Sequence, residues 1–343
     1  MNEPSSKQAA PTPLPRTAVI IPFPRWDDWT AECLAACAAL DHPELELWLL
    51  PDAELPTEIA VSAQQLAGTR ALRIVPTGPG NPAMKRNVAM RATTCAWAAL
   101  VDADAYPRPD WLQSAFREAK DTVGIVAGPN ITPPRDSYAR RLPGVVMRSP
   151  LGFGPGYVRH HPVPRHEPEE MPTCNMLIRL LPGLLFREEF STAEDMMYCR
   201  DVRERGFRIV YSPDVVVFHH RRRFPAGFAR QFYFYGRDKG RLFARGSRAS
   251  RLPHAAPAAV LLYAVVYAVL AVLSAWICVP KWLALPGLAY LLLVVMESFR
   301  CSRNPLLALG GLVAFPVAHA SYGLGWWRGL PTGWRERKQG AKD

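Results

Sequence analysis

Ala99-Leu100-Val101-Asp102-Ala103-Asp104-Ala105-Tyr106-Pro107 is an apolar run that ends in two aspartates one residue apart and is soon stopped by a proline. A buried strand has this form when it delivers two carboxylates to the edge of a sheet. Carboxylates in that setting suit a hard cation such as Mg²⁺, and through it a pair of phosphates. The plainer alternative is a turn, because Asp and Pro are turn formers. The segments on either side decide between the two.

Upstream, 17–22 is a β-branched apolar run closed by Pro22, and it reads as a buried strand. Residues 45–50 form a second strand that runs into Pro51 and Asp52, 71–75 a third, and 96–101 a fourth. Between them, 29–40 and 82–94 have helical spacing, with Asn81 as the N-cap of the second and Pro82 at its first position. A helix at 111–120 and a short strand at 124–129 follow. This alternation predicts an α/β domain with a mostly parallel sheet. Ligands of such sheets bind at the carboxyl ends of the strands, where Asp52, Asp102 and Asp104 all fall.

Residues 132–173 break the pattern, being rich in proline, glycine, arginine and histidine. A loop this long is expected to be a flexible lid or an acceptor-binding segment. His160, His161, His166 and Glu167 have no standard zinc spacing and no cysteine to assist. Asn175 then leads a short strand at 176–178. Ser191 or Thr192 is a candidate cap for a helix with Glu194 and Asp195 in its first turn and Gly206 at its end. Strands at 207–211 and 215–218 follow, and the second runs straight into His219-His220-Arg221-Arg222-Arg223. The aromatic and cationic stretch 230–237 reads as an amphipathic helix, either at a membrane interface or facing a core.

The chain has 343 residues and a net charge of +11, which suits anionic partners such as nucleotide phosphates or a membrane surface. Nucleic acid is not expected, for there is no zinc-finger spacing, RNA-recognition signature or lysine-rich tail. Seven scattered cysteines, an odd number, argue for free thiols rather than a disulfide framework, with Cys33 and Cys37 packing on one helix face. Residues 1–16 read as a disordered lead-in without a signal-peptide pattern. From 241 onward the chain reads as a membrane region, with apolar segments at about 255–279, 282–299 and 305–327. Arg241, Arg245, Arg248 and Arg251 precede the first segment, and Arg328, Arg335, Arg337 and Lys338 follow the third. Three full crossings would put the two basic groups on opposite sides. Two crossings plus a third segment re-entrant or broken at Pro316 are therefore expected, with three plain spans as the alternative.

The ordered set of Val19-Ile20-Ile21-Pro22, Asp52, Lys85-Arg86-Asn87, Val101-Asp102-Ala103-Asp104, Gly128-Pro129, Cys174-Asn175-Met176, Glu194-Asp195 and His219 resembles family 2 glycosyltransferases of the GT-A fold. The hydrophobic tail is like that of many membrane-bound members. The resemblance covers roughly 17–240 and implies a catalytic domain there. It implies that Pro22, Asp52, Lys85, Arg86 and Asp102 bind the nucleotide sugar. Asp102, Asp104 and His219 would hold Mg²⁺ or Mn²⁺, with Asp104 the more direct ligand and His220 a weaker candidate than His219. Asp195 would be the general base, with Glu194 orienting the acceptor beside Asn175. Without the resemblance, Glu194 and Asp195 read as charges that complement a helix dipole, and Lys85 and Arg86 as a solvated helix face.

Leu50-Pro51-Asp52-Ala53 departs from the double-acid string common in the family, and Pro22-Phe23-Pro24-Arg25 replaces its polar turn. No Gln-x-x-Arg-Trp string of processive synthases is present, so single sugar transfer is expected. The resemblance thus implies a membrane-bound, metal-dependent, inverting transferase. It would use a nucleotide-diphospho sugar and a lipid-linked or envelope-glycan acceptor, with the domain on the cytoplasmic side of the inner membrane. A polyprenyl-phosphate glycosyltransferase and a non-catalytic membrane scaffold are the competing readings.

Overall fold

In the computed structural model, residues 14–189, 193–247, 250, 252–274, 278 and 280–340 are described. Most of the expected lead-in, the candidate caps Ser191 and Thr192, and Arg248 and Arg251 lie outside them.

In chain order the elements begin β1 (Thr17–Pro22), α1 (Asp28–Ala38), β2 (Leu45–Leu50), α2 (Thr57–Ala67), β3 (Ala71–Ile74), α3 (Pro82–Ala92) and β4 (Trp97–Val101). They continue with β5 (Ala105–Pro107), α4 (Trp111–Glu118), β6 (Val123–Ala127), β7 (Asn130–Ile131), α5 (Tyr138–Met147), α6 (Pro150–Phe153) and β8 (Asn175–Arg179). Then come α7 (Glu194–Glu204), β9 (Arg208–Tyr211), β10 (Val217–His219) and α8 (Ala226–Arg245). Three apolar helices close the chain: α9 (Ala256–Leu273), α10 (Leu285–Cys301) and α11 (Pro305–Lys338). Helix α2 falls where no element is expected from the sequence; its N-cap is Pro56, which makes no side-chain bond.

The chain divides into two compact units, Met1–Ile131 with Pro162–His219, and Thr132–His161 with His220–Asp343. The first is built on a seven-stranded sheet in the order β3-β2-β1-β4-β8-β6-β9. Its pairs are parallel except those of β8, which runs antiparallel to both β4 and β6. β1 is buried at every position, as a strand covered on both faces should be. Val19 and Ile21 pack into one layer with Cys33, Leu34 and Cys37 of α1. Ala18 and Ile20 pack into the other with Ala83 and Ala89 of α3. A smaller sheet, β5-β10-β7, sets β10 antiparallel to β5, so that His219 lies opposite Ala105. Gly128 permits the approach that this sheet needs: a Cβ there would meet the Val215 carbonyl oxygen at 2.0 Å.

In the second unit, 132–161 is not the open loop expected from its composition. It carries α5 and α6, and four bonds tie it to the apolar helices. Tyr138 donates to the Leu306 carbonyl at 3.0 Å, Arg148 to the Cys301 carbonyl at 3.0 Å, and His319 Nε2 to the Leu151 carbonyl at 2.9 Å, while Ser149 bonds Glu297. Helix α11 is one continuous helix of 34 residues and is not broken at Pro316. At 1.5 Å per residue it runs about 51 Å, well beyond the roughly 30 Å of a bilayer's hydrocarbon core. Its C-terminal part lies against α8 with almost no side chain between the two. Gly325, Gly329 and Gly333 face the carbonyls of Tyr233, Arg237 and Arg241, while Gly236 and Gly240 face those of Tyr322 and Trp326. The buried face of α8 is thus Phe228, Phe232, Gly236, Gly240 and Ala244, one residue per turn. Three stretches are long and apolar enough to cross a membrane: Leu252–Leu273, Lys281–Cys301 and Pro305–Lys338.

Candidate functional site

β4 ends at Val101 and the chain turns at once, with the Ala105 amide donating to the Asp102 carbonyl at 3.0 Å. The turn and the strand's end are therefore one feature, and the turn is what holds the two carboxylates side by side. The short pairing of β5 with β10 then brings His219 to Asp104, with 3.1 Å between Nε2 and Oδ1. Asp102, Asp104 and His219 each offer a ligand atom, and these atoms lie within 4.8 Å of one another. All three side chains are half-buried. Two carboxylates and one imidazole, partly exposed, fit Mg²⁺ or Mn²⁺ together with ligand oxygens.

Arg86 is buried in α3 and connects this group to α7. Its Nη2 donates to Asp102 Oδ1 at 3.0 Å, and its Nη1 lies 3.7 Å from Glu194 Oε1. The guanidinium also sits 5.7 Å from the centre of the Phe186 ring. Arg86 is therefore no solvated surface residue. A buried cation requires compensating charge, and the carboxylates on either side supply it.

Glu194 opens α7, where its carboxylate and that of Asp195 meet the positive end of the helix. Burial pushes the Glu194 carboxyl up from its usual range, its own backbone N–H opposes the shift, and the Asp195 charge adds to it. Asp195 Oδ1 accepts from the Met196 amide at 2.7 Å, which fixes the side chain at the helix start.

Lys85 is also buried, and its ammonium protons are spent within the fold. Nζ donates to the Phe23 carbonyl at 2.8 Å and the Leu50 carbonyl at 3.1 Å, and it pairs with Asp52 at 2.5 Å. The lysine thus ties the end of β1 to the end of β2 and holds Asp52 in place. Pro22 is buried at the end of β1, opposite Leu50.

Asn175, the acceptor-side candidate, is also engaged within the fold. It is wholly buried, and its amide group donates to the Pro129 carbonyl at 3.0 Å and the Val215 carbonyl at 2.7 Å. Its oxygen accepts from the Trp111 indole at 2.8 Å. An amide so occupied joins β8 to the smaller sheet, and both of its donors are spent there. Asn175→Ala is expected to lower stability by about 2–4 kcal/mol, since it orphans buried partners. It should leave the acceptor KM of the surviving folded fraction unchanged; denaturant melts beside initial rates check both. His220 belongs to the second unit, where it pairs with Asp136 at 2.7 Å.

Sequence reasoning passed over Asn87. Its side chain both donates to the Phe186 carbonyl and accepts from the Phe186 amide, at 2.8 Å each, and it also donates to Glu188. Asn81 donates to the Glu188 carbonyl at 2.6 Å. Together they pin 186–188 to α3 a few residues before Glu194. The available signal was an asparagine two turns from any cap, next to two buried cations.

Comparison with known proteins agrees with this geometry. The profile of glycosyl transferase family 2 matches residues 18–180. Pre-mycofactocin glycosyltransferases from two strains of Mycobacterium tuberculosis are 28% identical over 159 residues, 45% of this chain. That match spans only 33% of those relatives' length. Among solved structures, the mannosyltransferase PcManGT from Pyrobaculum calidifontis, in complex with GDP-Man and Mn²⁺, superposes with a TM-score of 0.57 at 20% identity. It covers 91% of this chain and 90% of its own. Residues 18–180 therefore carry the signature of the glycosyl transferase family 2 domain, on a GT-A-like fold.

Proposed function

We propose that the protein is a metal-dependent, inverting glycosyltransferase. It moves one sugar from a nucleotide-diphospho sugar to a hydroxyl of a lipid-linked or envelope-glycan acceptor. The observation that carries this reading is the Arg86 guanidinium, set between Asp102 and Glu194. Through it, two acidic motifs about ninety residues apart in the chain form one site, with donor-side ligands at one end and a helix-borne base at the other.

Asp102, Asp104 and His219 would hold the divalent cation, whose contribution when bound is Lewis-acid neutralisation of the departing nucleoside diphosphate. Asp52, oriented by Lys85, stands at the end of β2 with acceptor oxygens suited to a ribose or a base. Asp195 takes the proton of the acceptor hydroxyl as that oxygen attacks the anomeric carbon. Attack by the acceptor itself, with one base and no covalent sugar–enzyme step, inverts the configuration. Glu194, held to a higher pH in its neutral form and facing Arg86, orients the acceptor side. The three apolar helices support a multi-pass membrane protein, and a cytoplasmic supply of nucleotide sugar supports a domain on that side of the inner membrane.

The GDP-Man and Mn²⁺ of the Pyrobaculum structure make a nucleoside diphosphate with Mn²⁺ the first ligands to try. A thermal-shift screen of the detergent-solubilised full chain should show stabilisation by one nucleoside diphosphate only when Mn²⁺ or Mg²⁺ is present. In Asp104→Asn the Mn²⁺ needed for half the shift should rise at least tenfold. Stabilisation that survives a chelator in full would refute the metal reading.

A further inference from the structure

The second unit holds a cationic group that the proposed chemistry does not use. Arg148, just past α5, donates from Nη1 to the Cys301 carbonyl at the end of α10. No other acceptor and no carboxylate partners its guanidinium among the described residues. Arg300, in the last turn of α10, makes two bonds of 2.7 Å to Glu297. Arg303 follows, exposed, in the turn before α11. His161 lies within the field of Arg148 and Arg300: burial lowers its proton affinity, and the two guanidiniums lower it further. Arg148, Arg300 and, three positions on, Arg303 thus bring three positive charges to the end of α10, where Glu297 is already engaged by Arg300 and Ser149.

This excess of positive charge stands at the end of a stretch long enough to cross a membrane, Lys281–Cys301. That is the depth at which lipid phosphates lie. Four and seven residues before Arg300, on the same face of α10, Met296 and Leu293 are exposed at 59% and 49%. A cationic end that continues into an open apolar stripe matches an amphiphile with an anionic head.

We propose that Arg148 and Arg300, with Arg303 at the rim, bind the phosphate group of a lipid-linked acceptor, whose lipid chain lies along Met296 and Leu293. Arg148 is the principal contact, because only its Nη1 is engaged, by the Cys301 carbonyl, and the remaining donors of its planar fork suit a phosphate. This inference rests on the reading that the acceptor is lipid-borne, and it assigns the group by which the carrier is held.

The test uses the full chain in dodecyl maltoside and needs neither sugar donor nor metal. Thermal unfolding is followed with farnesyl phosphate, farnesol and inorganic phosphate in turn. Farnesyl phosphate should raise Tm at concentrations at least tenfold below those at which either of the others acts. Arg148→Ala should raise the half-effective concentration of farnesyl phosphate tenfold or more, Arg148→Lys by less, and Met296→Gln severalfold. Arg335→Ala, an exposed change in the last turn of α11, should leave it unchanged. Should Arg148→Ala fold poorly, its unliganded Tm reveals that, and Arg148→Lys with Met296→Gln carry the test. An equal response to farnesol, saturation by inorganic phosphate alone, or wild-type behaviour in the Arg148 variants overturns the inference. If the nucleoside diphosphate with Mn²⁺ still stabilises the protein when farnesyl phosphate does not, this site falls while the transferase reading stands.

Discussion

An Asp195→Asn protein is expected to bind nucleoside diphosphate and metal with near-normal affinity and to transfer sugar about 10²–10⁴-fold more slowly. The amide keeps the shape of the carboxylate and can still accept from the Met196 amide, so the start of α7 should hold. What is lost is the capacity to take a proton. Asp195 is not a partner of Arg86, whose close carboxylates are Asp102 and Glu194, so the charge balance around that buried cation is retained. The effect should therefore fall on kcat, with the donor KM little changed, in single-turnover assays with radiolabelled nucleotide sugar. Near-normal turnover would point instead to an acceptor that needs no base, such as a lipid phosphate that is itself the nucleophile. That outcome would move the reading to a polyprenyl-phosphate glycosyltransferase.

The second large effect is expected at Gly329. A Cβ there would lie 2.0 Å from the Arg237 carbonyl oxygen and 2.8 Å from the Arg241 amide. Both are backbone atoms, so no side chain can rotate to make room. α8 and α11 would have to separate, and the row through Gly325 and Gly333 would separate with them. Overpacking a fitted interface costs about 1–3 kcal/mol or more. A single Gly329→Ala should lower the Tm of the solubilised protein by several degrees, and the triple change at Gly325, Gly329 and Gly333 should abolish the monodisperse peak in size-exclusion chromatography. Gly227→Ala, in the same unit, is the control. Its Cβ meets nothing nearer than 3.6 Å, and alanine's better helix propensity should leave stability equal or slightly raised. A triple variant as stable as the parent would show that the two helices do not depend on close approach.

What could be read from the sequence follows from where the stabilising contacts lie. β1, β2 and β4 are covered on both faces, so each appears as a largely apolar run, interrupted in β2 by the buried Glu46, and is closed by a proline or an acid, and the residues alone located them. The cluster of Asp102, Asp104 and His219 was legible for the same reason: two of its members sit at the end of such a run and the third ends another strand. α2 was not legible, because its apolar residues are mostly half-exposed and Pro56 gives it no side-chain cap. α5 and α6 were hidden by Pro143, Pro150 and several glycines, residues that argue locally against a helix. Those helices hold through bonds to Glu297, Cys301, Leu306 and His319, more than a hundred positions away, and no local pattern encodes such bonds. The internal partners of Lys85 and Asn175 were hidden for a related reason. Sequence shows that a polar side chain is present, but its partners, three backbone carbonyls and an indole among them, are fixed only by the fold.

The division of the chain bears on how the protein can be dissected. The polypeptide passes between the two units three times, after Ile131, after His161 and after His219. No single cut therefore frees one unit from the other. A truncation at residue 240, the natural choice if the domain simply precedes its anchor, would keep α5 and α6 but discard the helices to which they are bonded. It would lay bare Leu142, Val145, Val146 and Met147, which are buried in the intact chain. Such a fragment should aggregate on expression. A soluble version would need 132–161 replaced by a short linker as well, or the protein must be handled whole in detergent.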